Sequence, residues 1–360
     1  MADRLLIYGA NGYTCTLISR LAAQKRLEPV LAGRDREAVA RLAGSLGFAH
    51  RAFALTDPAA IDAGLDGIAA VLHCAGPFSR TADPMVQACF RKHVHYLDIT
   101  GELTVFESHA AKDAQARAVG VMLLSGCGLD VVPTDCLAAH LKNRLPGATH
   151  LTLGLDAAPW ISRGTVKTMI ESFHRGMVRE NGRLVSLPAG LRTRTIDMGR
   201  GPVRGTAVPW GDVSTAYFST GIPNIEAYVS TPPGTEAVLW LMRRLAGVLD
   251  LQPVQSLLKA GARLRPPGPT EDQRRSGSMH VWGEAHDGTR VVTSRLRAPE
   301  GYTLTANSAL EIAGRALGGD LKPGYQTPST AYGADLILAV PGCTRSDEPE
   351  SPLRPGSDKE

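Results

Sequence analysis

Arg4-Leu5-Leu6-Ile7-Tyr8, followed by Gly9-Ala10-Asn11-Gly12-Tyr13-Thr14-Cys15, is the stretch whose reading decides the fold. The first five residues have the length and apolar character of a buried strand. The next seven carry glycine where a chain must turn sharply and then enter a helix. Pro29-Val30-Leu31-Ala32 is a second short strand, and Gly33-Arg34 ends it. Strand, glycine turn, helix, strand and polar end make the opening of a dinucleotide-binding βαβ unit. Gly9 permits the turn, and Gly12 leaves room for a pyrophosphate at the N–H groups of the helix start. The spacing is G-x-x-G-x-x-C, and a plain βα turn can also use glycine, so the flanking strand and helix carry the reading.

Arg34 stands where a site for NAD usually places Asp or Glu against the ribose 2′-hydroxyl. A guanidinium suits a 2′-phosphate instead, through paired donors and a permanent charge. Arg36 lies close by, and the expected cofactor is NADP(H). Asp35 leaves a ribose contact open, and Arg34 can equally be a solvated residue at a helix start.

Alternating strand and helix patterns continue to about residue 130. Residues 36–46 read as a helix, 48–55 as a strand, and 68–74 as a strand buried on both faces. A helix over 83–92 is expected with Pro84 in its first turn. Residues 95–99 are a strand, 103–119 a single helix, and 121–125 a sixth strand. Six strands with intervening helices imply an α/β fold, a doubly wound parallel sheet that binds ligands at the strands' carboxyl ends. At those ends lie the glycine turn, then Cys74-Ala75-Gly76-Pro77-Phe78, then Asp98-Ile99-Thr100-Gly101-Glu102, then Gly126-Cys127-Gly128-Leu129-Asp130. The stiff Gly76-Pro77 turn could hold the nicotinamide end of a cofactor or simply end a strand.

Beyond residue 130 a helix with Leu137, Leu141 and Leu145 leads into short strands near 151–155, 206–208, 227–230, 279–284 and 289–296. This mixture predicts an α+β second domain with a largely antiparallel sheet. The expected division is a Rossmann domain over 1–130, a substrate or dimerisation domain over 131–327, a closing helix over 328–340 packed back on the first domain, and a disordered tail over 341–360. Residues 265–277 read as a surface loop. The apolar stripe of 235–250 fits a core helix, or a face toward a partner or a membrane surface.

Hydrophobic residues are 43% of the 360 and charged residues 21%, which suits an ordinary globular protein with a substantial core. A net charge of +4, without basic blocks interleaved with aromatics, gives no expectation of nucleic-acid binding. No signal peptide or membrane span is read. The six cysteines form no C-x-x-C pair, so neither a metal site nor a disulfide framework is expected, and a cytoplasmic location is. Cys127 is a candidate nucleophile with no base beside it in sequence.

Together with Gly9-Ala10-Asn11-Gly12-Tyr13-Thr14 and Cys74–Phe78, the motifs Ala32-Gly33-Arg34, His95-Tyr96-Leu97-Asp98-Ile99-Thr100-Gly101-Glu102, Arg163-Gly164-Thr165 with Glu171-Ser172, and Trp282-Gly283-Glu284-Ala285 make the chain resemble the saccharopine dehydrogenase-like family. In particular it looks like the family's short bacterial trans-acting enoyl reductases. The resemblance spans residues 4–340, with Cys15 where Gly is expected and Asn11 where Thr is common. It implies an NAD(P)H-dependent oxidoreductase that delivers hydride to a polarised double bond, C=N in one branch and conjugated C=C in the other. The implied cofactor residues are Gly9, Ala10, Asn11, Gly12, Tyr13, Thr14, Arg34, Cys74, Ala75, Gly76, Pro77 and Phe78.

Hydride delivery builds negative charge on the acceptor, so a nearby donor lowers the barrier. Tyr96 is the candidate proton donor and Asp98 an orienting group or ribose ligand. Glu102 is a catalytic candidate that could instead cap the following helix, and Thr165 a residue closing the cleft from the second domain. The substrate is expected to be a small molecule or one tethered to a carrier, and a homodimer through the second domain is one expectation. The alternatives are a non-catalytic NADP(H)-binding redox sensor and a partner-dependent subunit.

Overall fold

The computed structural model describes residues 4–353 apart from 158–159, 161, 164–165, 167–174, 189, 232–243, 245–250, 252–253, 255–257, 259–260 and 262–265. Thr165, Gly164, the pair Glu171-Ser172 and all of the 235–250 stripe except Arg244 therefore lie outside the described residues. The chain forms two compact units, Met1–Val132 with Tyr302–Tyr332, and Pro133–Gly301 with Gly333–Glu360.

The chain opens with β1 (Arg4–Tyr8), α1 (Tyr13–Gln24), β2 (Val30–Gly33), α2 (Arg36–Leu46), β3 (His50–Ala52) and α3 (Pro58–Gly64). It goes on with β4 (Ile68–His73), α4 (Phe78–Lys92), β5 (His95–Asp98), α5 (Leu103–Ala110), α6 (Asp113–Ala118) and β6 (Met122–Leu124). The second unit begins with α7 (Val132–Arg144) and β7 (His150–Asp156), then β8 (Arg175–Glu180), β9 (Arg183–Pro188), β10 (Thr193–Asp197) and β11 (Pro202–Ala207). There follow α8 (Asp212–Thr220), β12 (Asn224–Ser230), α9 (Glu271–Ser276), β13 (Ser278–His286) and β14 (Arg290–Pro299). The first unit then receives α10 (Gly301–Leu317), β15 (Gly324–Gln326) and α11 (Pro328–Tyr332), and the second receives β16 (Thr344–Asp347) and β17 (Ser351–Pro352).

The first sheet has the order β15-β6-β5-β4-β1-β2-β3 and is parallel throughout. Reversal of winding between β1 and β4 is the doubly wound pattern, and it puts the ligand crevice at their carboxyl ends. Leu6, Ile7, Leu31, Val71, Leu72 and Leu97 are fully buried in the sheet, as strands covered on both faces require. Helix α1 presents Cys15, Ile18, Ser19 and Ala22 to the core. Helix α2 is capped by Asp35, whose carboxylate accepts from the Ala38 amide, and ends at Gly47 in the left-handed region.

Several expectations are corrected here. Helix α4 starts at Phe78, so Pro84 lies inside it and not in its first turn. The span 103–119 is two helices, parted at Ala111-Lys112. A seventh strand, β15, joins the sheet against β6. The closing segment is the short α11, a break at Gly333 with φ +84, and a 3₁₀ turn over Leu336–Ala339.

The second sheet runs β10-β11-β12-β7-β13-β14-β16 and is antiparallel except for the β12–β7 pair. Gly283 allows α7 to lie close, since a Cβ there would meet Leu141 at 2.7 Å. Strands β8 and β9 were not expected, although Asn181-Gly182 between them is a strong hairpin signal. Both residues have positive φ, 48° and 78°. The 265–277 loop contains α9, started by a capping box of Thr270 and Gln273. The tail is not without structure over 344–352, because β16 and β17 pair with β14. Its charges have partners: Asp347 accepts from Ser294 and meets His140 at 2.8 Å, and Arg345 pairs with Asp335 at 2.7 Å.

Candidate functional site

The site is built at the carboxyl ends of β1, β2, β4 and β5. Gly9 has φ +93, a conformation that suits glycine, and a Cβ there would meet Ala75 Cβ at 2.9 Å. The Gly9 and Ala10 amides donate to the Ala32 carbonyl at 2.8 and 3.0 Å, which ties the turn to β2. Gly12 donates to Gly9 O at 2.9 Å and begins α1 with no side-chain cap. A Cβ at Gly12 would meet Gly9 O at 3.2 Å and nothing else within 4 Å. Asn11 and Gly12 are exposed, so the helix start is open to an anion. Tyr13 packs edge-on against Tyr302 of α10, with ring centroids 5.1 Å apart, and the Thr14 side chain is half-buried.

Arg34 follows β2 and is exposed. Among the described residues no carboxylate pairs with it or with Arg36. Asp35 has one carboxylate oxygen on the Ala38 amide at 3.0 Å, a capping role that accounts for its presence beside Arg34. Burial pushes the Tyr8 hydroxyl up to about 12, and the Arg34 charge acts in the opposite direction.

The turn after β4 is held from several sides. The Cys74 amide donates to Tyr8 O at 2.8 Å. The Gly76–Pro77 peptide is cis. The Thr81 hydroxyl lies 2.6 Å from Ala75 O and 3.0 Å from Pro77 O, and His73 Nε2 is 3.1 Å from Thr81 Oγ1. Thr81 and His73 were missed by sequence reasoning, since neither belongs to a glycine turn. Burial holds His73 well below the usual imidazole range, at about 3, so it is neutral at pH 7. The Phe78 and Ser79 amides, at the start of α4, donate to the two oxygens of Glu102 at 2.7 and 2.8 Å.

Glu102 thus caps α4, not the helix that follows it, and its carboxylate is engaged and 8% exposed. Tyr96 and Asp98 share one face of β5, as alternation requires, but both are fully buried. Tyr96 packs against His73 and His109 in the core, so the structure does not bring its hydroxyl to an open cleft. Asp98 joins loops: Oδ1 accepts from Thr100 at 3.0 Å and Gly126 at 2.9 Å, and its carbonyl accepts from Cys127 at 2.7 Å. Burial raises its carboxyl to about 7. His109 Nδ1, 4.0 Å from Asp98 Oδ2, is 2.6 Å from Ser125 Oγ and is held neutral by burial. Cys127 is fully buried with its thiol pushed well up by burial, which removes the nucleophile expected there.

Loop 126–130 is fixed by α10: the Leu129 amide donates to Thr305 Oγ1 at 3.0 Å, and Ser308 donates to Cys127 O at 2.7 Å. Asp130 lies against Gly101, where a Cβ would meet its carboxyl at 2.8 Å, and burial raises its carboxyl to about 6.

Residues 5–124 match the family of the saccharopine dehydrogenase NADP binding domain. The chain is similar to a trans-acting enoyl reductase of Mycobacterium ulcerans, 28% identical over 55% of this chain and 51% of the relative. It is also similar to the human saccharopine dehydrogenase-like oxidoreductase, 25% identical over 47% of this chain and 46% of that one. The chain spans about half the length of these curated relatives. The fold is similar to that of saccharopine dehydrogenase (L-Glu forming) from Saccharomyces cerevisiae, with TM-score 0.64, 12% identity, and coverage of 96% of this chain and all of that one.

Proposed function

Starting from an NADP-binding domain of the saccharopine dehydrogenase family over residues 5–124, we propose that the protein is an NADPH-dependent reductase of a polarised double bond. The observation that carries this reading is the open start of α1 beside the exposed Arg34, which no carboxylate pairs among the described residues. The first offers N–H groups to a pyrophosphate, and the second offers a guanidinium to a 2′-phosphate. Gly9, Ala10, Asn11, Gly12, Tyr13 and Thr14 would hold the phosphates, with Cys74–Phe78 along the nicotinamide half. Bound NADPH supplies the hydride. The chain's own residues orient it and exclude water; Tyr96 and Glu102, one buried and one engaged, are not proposed as acids.

The bond reduced is a conjugated C=C or a C=N, on a small molecule or on a carrier-tethered acyl group. The name of the mycobacterial relative supports the first bond type, and that of the human relative is compatible with the second.

The test is a side-by-side titration with NADPH and NADH of the wild type and of Arg34→Ala, followed by substrate-dependent NADPH oxidation on enoyl and imine panels. The wild type is expected to prefer NADPH, and the variant to lose about tenfold or more in NADPH affinity with little change for NADH. Equal losses for both nucleotides would remove the 2′-phosphate role, and binding of neither would remove the reading.

A further inference from the structure

The helix starts after the neighbouring strands β1 and β4 are finished in opposite ways. Helix α1 begins without a side-chain cap, whereas α4 begins with two successive amides on the Glu102 carboxylate. Glu102 is itself set by a relay along one loop. Asp98 Oδ1 accepts from the Thr100 amide at 3.0 Å, and Thr100 Oγ1 accepts from the Glu102 amide at 3.1 Å. Thr100 is fully buried and Glu102 nearly so. A helix start attracts an anion, and at α4 that anion is a side chain of the protein.

Resting on the NADP(H) reading above, we propose that Glu102 is a positioning residue for the cofactor. Its carboxylate occupies the anion seat of α4, so of these two helix starts the one at α1 is left for the cofactor's pyrophosphate. The same two hydrogen bonds hold the Cys74–Phe78 turn as the wall for the nicotinamide half. Glu102 acts through that turn, and its side chain takes no part in proton transfer.

The experiment uses the full chain as wild type, Glu102→Gln and Glu102→Asp. Each is titrated with NADPH, followed by nicotinamide fluorescence, and with adenosine 2′,5′-bisphosphate, followed by calorimetry. The bisphosphate carries the 2′-phosphate but no nicotinamide. Glu102→Gln is expected to lose about tenfold or more in NADPH affinity and to lose the fluorescence change, while its bisphosphate affinity stays within about twofold. Glu102→Asp, which keeps the charge on a shorter stem, falls between; it carries the same comparison if the Gln variant does not fold. Equal losses for both ligands, or none for either, overturn the proposal while the wild type still binds both. A wild type that binds neither ligand overturns the NADP(H) reading and this proposal together.

Discussion

Asp98 shows what a single buried carboxylate does to this protein. Its carboxyl is raised to about 7 by burial, and the groups around it do not offset this fully: two amides lower it, while the Glu102 charge raises it further. His109 beside it is neutral and gives no compensating charge. The folded state therefore keeps a proton that the unfolded chain releases near pH 4, so this group's contribution to stability falls as pH rises from about 4 to 7. Asp98→Asn removes that slope. Calorimetric melts from pH 4 to 8 should show the variant gaining on the wild type with rising pH, by up to about 4 kcal/mol at the alkaline end. Parallel melting curves across the range would show that Asp98 ionises normally. Arg34 was legible in the sequence because its place follows from β2 alone. Tyr96 was not: alternation says which residues share a face of β5, but the depth of that face depends on helices packed from elsewhere in the chain.

At the scale of elements, the glycine turn makes two different demands, which substitution separates. Gly9→Ala forces a side chain onto φ +93 and to 2.9 Å from Ala75, and is expected to destabilise the fold by about 2 kcal/mol or more. Gly12→Ala meets one carbonyl at 3.2 Å and otherwise open space, so its melting temperature should change little while NADPH affinity falls about tenfold or more. Fluorescence-monitored melts and titrations of the two variants decide the matter; equal stability losses would contradict the geometry. The βα rhythm of the first unit was readable because each strand and helix is local. The start of α4 was not, since its cap is Glu102, a residue 24 positions from Phe78. Helix α9 and the β8–β9 hairpin were readable from Thr270-x-x-Gln273 and Asn181-Gly182. Composition hid them, because both lie in polar stretches that resemble loops.

At the scale of the molecule, the first unit is completed by residues 302–332, which bring α10 against the 126–130 loop and β15 against β6. No pattern within residues 1–130 announces a strand from the far end of the chain, so the expected boundary at 327 fell inside this returning segment. A chain ended after Gly301 lacks both elements. It is expected to lose NADPH binding and to show no cooperative melt of the first unit; retained binding in a fluorescence titration would show that six strands suffice. About 200 residues separate β6 from β15. At roughly 5–20 residues per second of synthesis, some 10–40 s pass between the emergence of these two partners. For that interval the nascent sheet carries the unpaired edge of β6, buried only once the late strand arrives. Folding of the cofactor domain is thus timed by translation of a different domain, and a pause or truncation within residues 133–301 exposes the earlier one.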